Sequence, residues 1–380
     1  MGSDEQVKQL DAMQAAGQLG CFALTEKFAG VNSGLVVQTK ATYDAPTGEF
    51  VLQTPTPGAQ KNWITQGLVA DKAVVVADMV VGGKSVGPHA FLMDLRKNGQ
   101  LVKGVSLIDM GKKTVGNDLD NASINFESVR LPRSSLLSRF AEVTAEGQYV
   151  SKSKVPTMVM IGQRLFSGRV AVAQAALEYR RGLFEMTRAY SDRKKCWSPA
   201  GTPTLSSLPH IAALYQECEP RAERLEAFAR KCEEQLNVCL RKDAIPPVPL
   251  MDAIAVAKFS AVDESIDMCF RLKKEVGSYA LMAGAGFDQM DFLSCCAFAE
   301  GDSRILKMKL ARDRLRDFQK AGTVGSPQED ELCRAISSGM SYHLAASPAD
   351  KQGAMDAQWR LMYQLADASA HRIIEQTLAA

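Results

Sequence analysis

Near residue 150 the spacing of apolar residues changes, and this break constrains the fold more than any other feature of the sequence. From 20 to 150, short apolar runs alternate with polar residues, as in "GLVVQTKATYD" (34–44), "GEFVLQTP" (48–55), "DKAVVVADMVV" (71–81), "PHAFLMDLR" (88–96) and "ASINFESVRLP" (122–132). Gly, Pro, Asn and Asp separate the runs, which is the pattern of a compact β domain. "DAPTGEF" (44–50) and "RKNGQ" (96–100) carry turn chemistry between strands. From about 155 the spacing becomes three and four residues, sustained through "TMVMIGQRLFSGRVAVAQAALEYRRGLFEMTRAY" (157–190). Two more long helical patterns follow, over 205–242 and 249–283. The loop "WSPAGTPTLSS" (197–207) and the breaker "IPPVP" (245–249) separate them. Ser326-Pro327-Gln328-Glu329 predicts a capped helix start, and Ser347-Pro348-Ala349-Asp350 predicts a second one of the same kind.

The order is therefore a short helical start, a β domain, a helical bundle and a helical tail. That is an α+β multidomain chain and not an alternating βαβ one. No Gly-x-Gly-x-x-Gly follows a strand, so a Rossmann dinucleotide site is not indicated. The net charge of +2 leaves no electrostatic footprint for nucleic acid or an anionic membrane. The apolar runs are too short to span a bilayer, and the N-terminus lacks the pattern of a signal peptide. Nine cysteines contain no Cys-x-x-Cys, and His89, His210, His343 and His371 are widely spaced. Neither a metal site nor a Ser-His-Asp triad is expected, and the cysteines read as reduced, mostly buried thiols.

One carboxylate stands out. "SCCAFAEGDSRILKMKLARD" (294–313) boxes Glu300 between Ala299 and Gly301, after an apolar run and before a basic helical pattern. Two readings fit the residues alone: an acid favoured by a helix N-terminus, or a catalytic carboxylate. Trp63 likewise reads as a sheet-core aromatic or a ligand contact, and Arg169 as a helix-surface cation or a site residue.

"GCFALTE" (20–26) is the point at which the chain resembles the acyl-CoA oxidases and, more distantly, the acyl-CoA dehydrogenases. The likeness continues through "ATYDAPTGEFVLQTP" (41–55), "KNWIT" (61–65), "GPHAFLMDLR" (87–96) and "NDLDNASINFESVRLPRSSLLSRFAEVTAEGQYVS" (117–151). "SGRVAVAQAAL" (167–177), "YSDRKKCW" (190–197) and "AEGDSRIL" (299–306) carry it into the helices. The resemblance implies a middle β domain over 20–152 and a C-terminal four-helix bundle over 153–322, with 323–380 as a helical extension. It implies that 1–19 is a remnant of the family's N-terminal helical domain, the rest of which is expected to be absent. It implies FAD as cofactor and α,β-desaturation of a fatty acyl-CoA, in a homodimer or as a subunit of a larger assembly. Peroxisome or mitochondrion is the implied location, although the C-terminal "EQTLAA" is not a Ser-Lys-Leu address.

Residue by residue, the resemblance makes Glu300 the base that removes the α-proton, with Gly301 letting the backbone approach the thioester. It puts Thr25, Trp63, Thr65, Lys194, Trp197, Gly284 and Gly286 at the cofactor and Arg169 near the acyl-CoA. It implies that the backbone N–H of Glu300 is one donor to the developing enolate. Departures accompany these matches. Lys194 replaces the arginine expected on the FAD pyrophosphate and lacks its bidentate fork, with Arg193 as a neighbouring substitute. Phe28-Ala29-Gly30-Val31 replaces a glycine turn, with Ser33 as a stand-in for its serine. Ala283-Gly284-Ala285-Gly286 departs from Gly-Gly-x-Gly, and Arg304 stands for a threonine. Two functions stay open: a working acyl-CoA oxidase or dehydrogenase, and a catalytically impaired relative serving as a structural or assembly subunit.

Overall fold

The structure is a computed structural model that describes residues 1–30, 36–154, 157–242, 244–323 and 325–380. Val31 and Ser33, in the altered glycine turn, lie outside the described residues. The chain divides into two compact units, Met1–Arg164 and Leu165–Ala380, and the division falls inside one long helix.

The first unit opens with helix α1 (Asp4–Ala15), capped by Ser3, whose hydroxyl accepts from Gln6 N–H. Strands β1 (Gly20–Ala23), β2 (Lys40–Asp44), β3 (Glu49–Gln53), β4 (Lys61–Thr65), β5 (Lys72–Val81) and β6 (Lys84–Asp94) follow. After them come the short β7 (Arg96–Lys97) and β8 (Gln100–Leu101), then β9 (Val105–Asp109), β10 (Asn121–Phe126), β11 (Val129–Pro132), β12 (Ala141–Val143) and β13 (Tyr149–Ser151). The main sheet runs β1-β5-β2-β3-β11, with β6 along the other edge of β5. β5 can serve three partners because it is long: β1 pairs parallel with its start and β2 with its end. A second sheet orders β4-β10-β9. Both expected turns are present. Thr47 N–H reaches Asp44 O between β2 and β3, and Asn98-Gly99, both at positive φ, join β7 to β8. The alternating residues Phe50, Leu52, Val75, Met79, Phe91, Ile124 and Phe126 form the core, with Phe50 edge-on to Phe91 at 5.0 Å.

The second unit is helical. It contains most of α2 (Thr157–Ser191), then α3 (Pro209–Arg241), α4 (Val248–Glu275), the short α5 (Met290–Phe298) and α6 (Ser303–Ala321). "IPPVP" ends the α3–α4 connection as expected, with Pro247 as N-cap of α4. α7 (Pro327–Ala346), α8 (Lys351–Asp356) and α9 (Trp359–Ala379) complete the chain. Ser326 caps α7 and accepts from Glu329 N–H, as its motif predicts. The second predicted cap is displaced. Ser347 ends α7, and Asp350 caps α8 by accepting from Gly353 N–H. A carboxylate two to three residues before a free N–H competes well with a serine hydroxyl for this role. α9 lies against α4 and α6, burying Ile373 and Ile374 with Phe259, Leu306 and Leu310. Among the described residues no helix is long and apolar enough to cross a membrane.

Candidate active site

In the second unit Glu300 sits between two helices and not at the start of one. α5 ends at Phe298, and α6 begins at Ser303 with Asp302 as its N-cap, accepting from Arg304 N–H at 2.8 Å. The capping acid is thus Asp302 and not Glu300, which stands two residues before the cap. Glu300 instead adopts the left-handed region at φ 55°, followed by Gly301 at φ 101°. A left-handed glutamate carries a backbone cost of about 1–3 kcal/mol, so the surroundings must hold it.

They do so through oxygen atoms. Arg169 Nε donates to Glu300 O at 3.0 Å. Lys258 Nζ donates to Ala297 O and Gly301 O, each at 2.9 Å, and to Ser303 Oγ at 3.2 Å. Lys258 is fully buried, and burial lowers its pKa to about 8 against the raising influence of Asp302 and Asp263. Burial likewise lowers the pKa of Arg169, opposed by the charge of Glu300. Arg169 is therefore no free surface cation; its guanidinium lies 5.6 Å from the Phe166 ring centre and close to Gly301. The Glu300 carboxylate rests on Gly168 of α2, where an added Cβ would overlap Cδ and Oε2. The structure thus gathers Glu300, Gly301 and Arg169, and adds Gly168, Lys258 and Ser303.

The other residues of this unit lie elsewhere along the chain. Lys194 and Trp197 occupy the exposed loop after α2, Trp197 at 82% exposure. Lys194 O accepts from Leu205 N–H at 2.8 Å, which fixes the loop, while its side chain is exposed. The guanidinium of Arg193 turns back onto Ala189 O at 3.0 Å. Gly284 and Gly286 both have positive φ, and Gly286 O accepts from the Tyr179 hydroxyl at 2.7 Å.

In the first unit Thr25, Trp63 and Thr65 are tied together through Asn62 and Asn121. Asn62 N–H donates to Thr25 O at 2.8 Å, and the Asn121 amide reaches Thr65 Oγ1 at 3.3 Å and Trp63 O at 3.5 Å. Trp63 is also left-handed, at φ 58°, and its side chain is turned out at 56% exposure. It is not a core aromatic. Beneath this face Glu26 and Lys61 form a fully buried ion pair of 2.8 Å. Glu26 accepts from Gln38 N–H and Thr39 N–H, and Lys61 donates to Leu24 O. The pair thus grips the backbone on both sides of Thr25. Burial lowers the Lys61 pKa to about 8, with Glu26 opposing.

Sequence reasoning missed Lys258, Gly168 and the Glu26–Lys61 pair. A lysine inside an apolar helical run, "AIAVAKFSAV", and a glutamate and a lysine at the end of "GCFALTE" and the start of "KNWIT" were the available signals.

Comparison with known proteins bears on the fold. A mouse acyl-coenzyme A oxidase-like protein is 36% identical over 215 residues, covering 55% of this chain and 34% of that protein. Peroxisomal acyl-coenzyme A oxidase 2 of Arabidopsis thaliana is 35% identical over 218 residues, covering 53% of this chain and 31% of that one. The chain is a relative of the acyl-CoA oxidases. The solved structure of Arabidopsis acyl-CoA oxidase 1 matches 99% of the chain with a TM-score of 0.83 at 21% identity. That of Caenorhabditis elegans acyl-CoA oxidase-1, complexed with FAD and ATP, matches with a TM-score of 0.80 at 21% identity. The chain therefore has the acyl-CoA oxidase fold of a middle sheet region followed by helices. It covers 64% and 62% of those two solved chains, and its matches span about a third of the two curated relatives. No family model matches it.

Proposed function

We propose that the chain serves an FAD-dependent acyl-CoA oxidase that desaturates fatty acyl-CoA between its α and β carbons. The observation that carries this reading is the turn around Glu300: a left-handed carboxylate residue, pinned by Arg169 and Lys258 and laid over a glycine. Strained residues held by several bonds concentrate at reaction sites.

Each unit by itself carries groups of the kind a flavin uses: in the first, the exposed ring of Trp63 and the hydroxyls of Thr25 and Thr65; in the second, the exposed ring of Trp197 and the backbone at Gly284 and Gly286. Lys194 supplies a point charge for phosphate. FAD, when bound, supplies the acceptor for the β-hydride. The protein's part is proton transfer and positioning. An Oε atom of Glu300 accepts the α-proton of the thioester. The α-proton is weakly acidic, so the carboxylate needs a water-poor setting. The N–H of Glu300 donates to the thioester oxygen as charge develops there. Gly301, without a side chain, leaves room for that approach.

Acyl-CoA is the proposed ligand, in a homodimer or larger assembly. The relatives' names favour the peroxisome over the mitochondrion as location. Lys194, in place of an arginine, favours the second reading: a relative that has lost activity and serves as an assembly subunit. Reconstitution with FAD separates the two. The proposal expects flavin absorbance that co-purifies with the chain and peroxide release on adding fatty acyl-CoA. A folded, colourless protein that takes up no FAD would overturn it.

A further inference from the structure

We propose that Lys258 is the positioning residue of Glu300. Its ammonium clamps the 297–303 turn and so holds the left-handed Glu300 backbone and its carboxylate over Gly168. This inference deepens the proposed function and rests on it for the role of Glu300.

The clamp follows from the inventory of donors and acceptors. A lysine ammonium has three N–H bonds, and all three have partners here: Ala297 O, Gly301 O and Ser303 Oγ. These acceptors bracket Glu300 from both sides in sequence. The side chain is fully buried, and a buried charge of this kind persists only where hydrogen bonds satisfy it. The geometry is that of a three-point staple across a turn, and Arg169 adds a fourth point at Glu300 O. Removing the ammonium leaves two carbonyls and a hydroxyl buried without their donor, so the turn should open toward water. Misplacing a base by about 1 Å costs on the order of a hundredfold in rate.

Deprotonation leaves two donors for the three acceptors but relieves the burial penalty on the charge, so the staple does not open as pH rises. The groups that face Lys258 are Asp263 on its own helix, Asp302 at the start of α6, Cys296 on α5 and Arg169 on α2. The two carboxylates favour the ammonium, whereas burial and Arg169 oppose it, and the balance lies at about 8.

The test uses the full chain with Lys258→Met, Lys258→Arg and the milder Ser303→Ala, which removes one acceptor if Lys258→Met fails to fold. Hydrogen exchange is read at the amides of Ala299, Arg304 and Leu306, which hydrogen-bond to Cys295 O, Asp302 Oδ1 and Asp302 O at the two helix ends that flank the turn. The proposal expects exchange faster by about tenfold in Lys258→Met. It expects a smaller change of the same sign in Ser303→Ala and partial recovery in Lys258→Arg. In FAD-loaded protein it expects flavin reduction by acyl-CoA to slow about tenfold or more with KM nearly unchanged. Unchanged exchange in both Lys258→Met and Ser303→Ala overturns the proposal, whether or not the protein takes up flavin. Faster exchange with an unchanged reduction rate also overturns it, since Lys258 would then only stabilise the fold. A chain that binds no flavin sinks the proposed function separately, and the exchange readout then decides the clamp.

Discussion

The carboxylate of Glu300 rests on the Cα of Gly168, so closely that a methyl group on Gly168 would occupy its place. Gly168→Ala therefore separates stability from chemistry. Alanine in a helix interior is favoured over glycine by about 0.5–1 kcal/mol. The overlapping atoms are the far end of a flexible side chain, which swings aside at little cost. The expected outcome is a melting temperature equal to or above that of wild type, with flavin reduction by acyl-CoA slower by about a hundredfold. Calorimetry and stopped-flow absorbance check the two halves.

Trp63 makes a parallel case in the first unit. It is left-handed and half exposed, so its backbone strain is not offset by burial of its ring. Trp63→Gly relieves strain of about 1 kcal/mol or more and is expected to leave stability unchanged or raised. FAD affinity, measured by titration of flavin fluorescence, should fall by at least about tenfold through loss of ring contact.

Glu26 and Lys61 are expected to behave as one unit. Lys61→Met leaves the Glu26 carboxylate buried without its cation and should cost about 3–5 kcal/mol. The double variant Glu26→Gln/Lys61→Met should be more stable than the sum of the single losses, by urea denaturation. Additive losses would mean the two side chains do not interact as drawn.

Alkaline pH tests the buried thiols. Burial pushes Cys232 up to about 12 from its usual 9.0. Unfolded thiols ionise first, so the stabilising contribution of Cys232 is complete below the unfolded pKa and is lost as pH rises through the folded one. Relative to Cys232→Ala, wild type should lose about 1.4 kcal/mol per pH unit above roughly pH 9. Lys61 and Lys258 act with the opposite sign. Their pKa values are lowered by burial from 10.5 to about 8, so their contributions rise across that interval. Comparing pH slopes of wild type and variant by denaturant titration isolates the thiol.

The architecture was legible because period speaks directly to secondary structure. Alternation marked β3, β5 and β10, and three-four spacing marked α2 to α4. The prolines of "IPPVP" marked the break before α4, and Ser326 marked a helix start through its capping chemistry. The start of α8 was misplaced because Ser347-Pro348 has the right composition but Asp350 has the better acceptor for the free N–H groups. At the site, Glu300 was visible through its Glu-Gly-Asp context, but its left-handed backbone was not. Glutamate carries no local preference for that conformation, and only tertiary bonds from Arg169 and Lys258 explain it. Lys258 and Gly168 were hidden for the same reason. A lysine in an apolar run and a glycine in a helix show their meaning only when the turn they support is folded against them.

The central claim is that Glu300 is the base of a flavin-dependent desaturation. Anaerobic mixing of FAD-loaded protein with fatty acyl-CoA tests it most directly, comparing wild type with Glu300→Gln. The account predicts that wild-type flavin bleaches, and that Glu300→Gln keeps the oxidised flavin spectrum and binds acyl-CoA without bleaching. Bleaching of Glu300→Gln at the wild-type rate would contradict it.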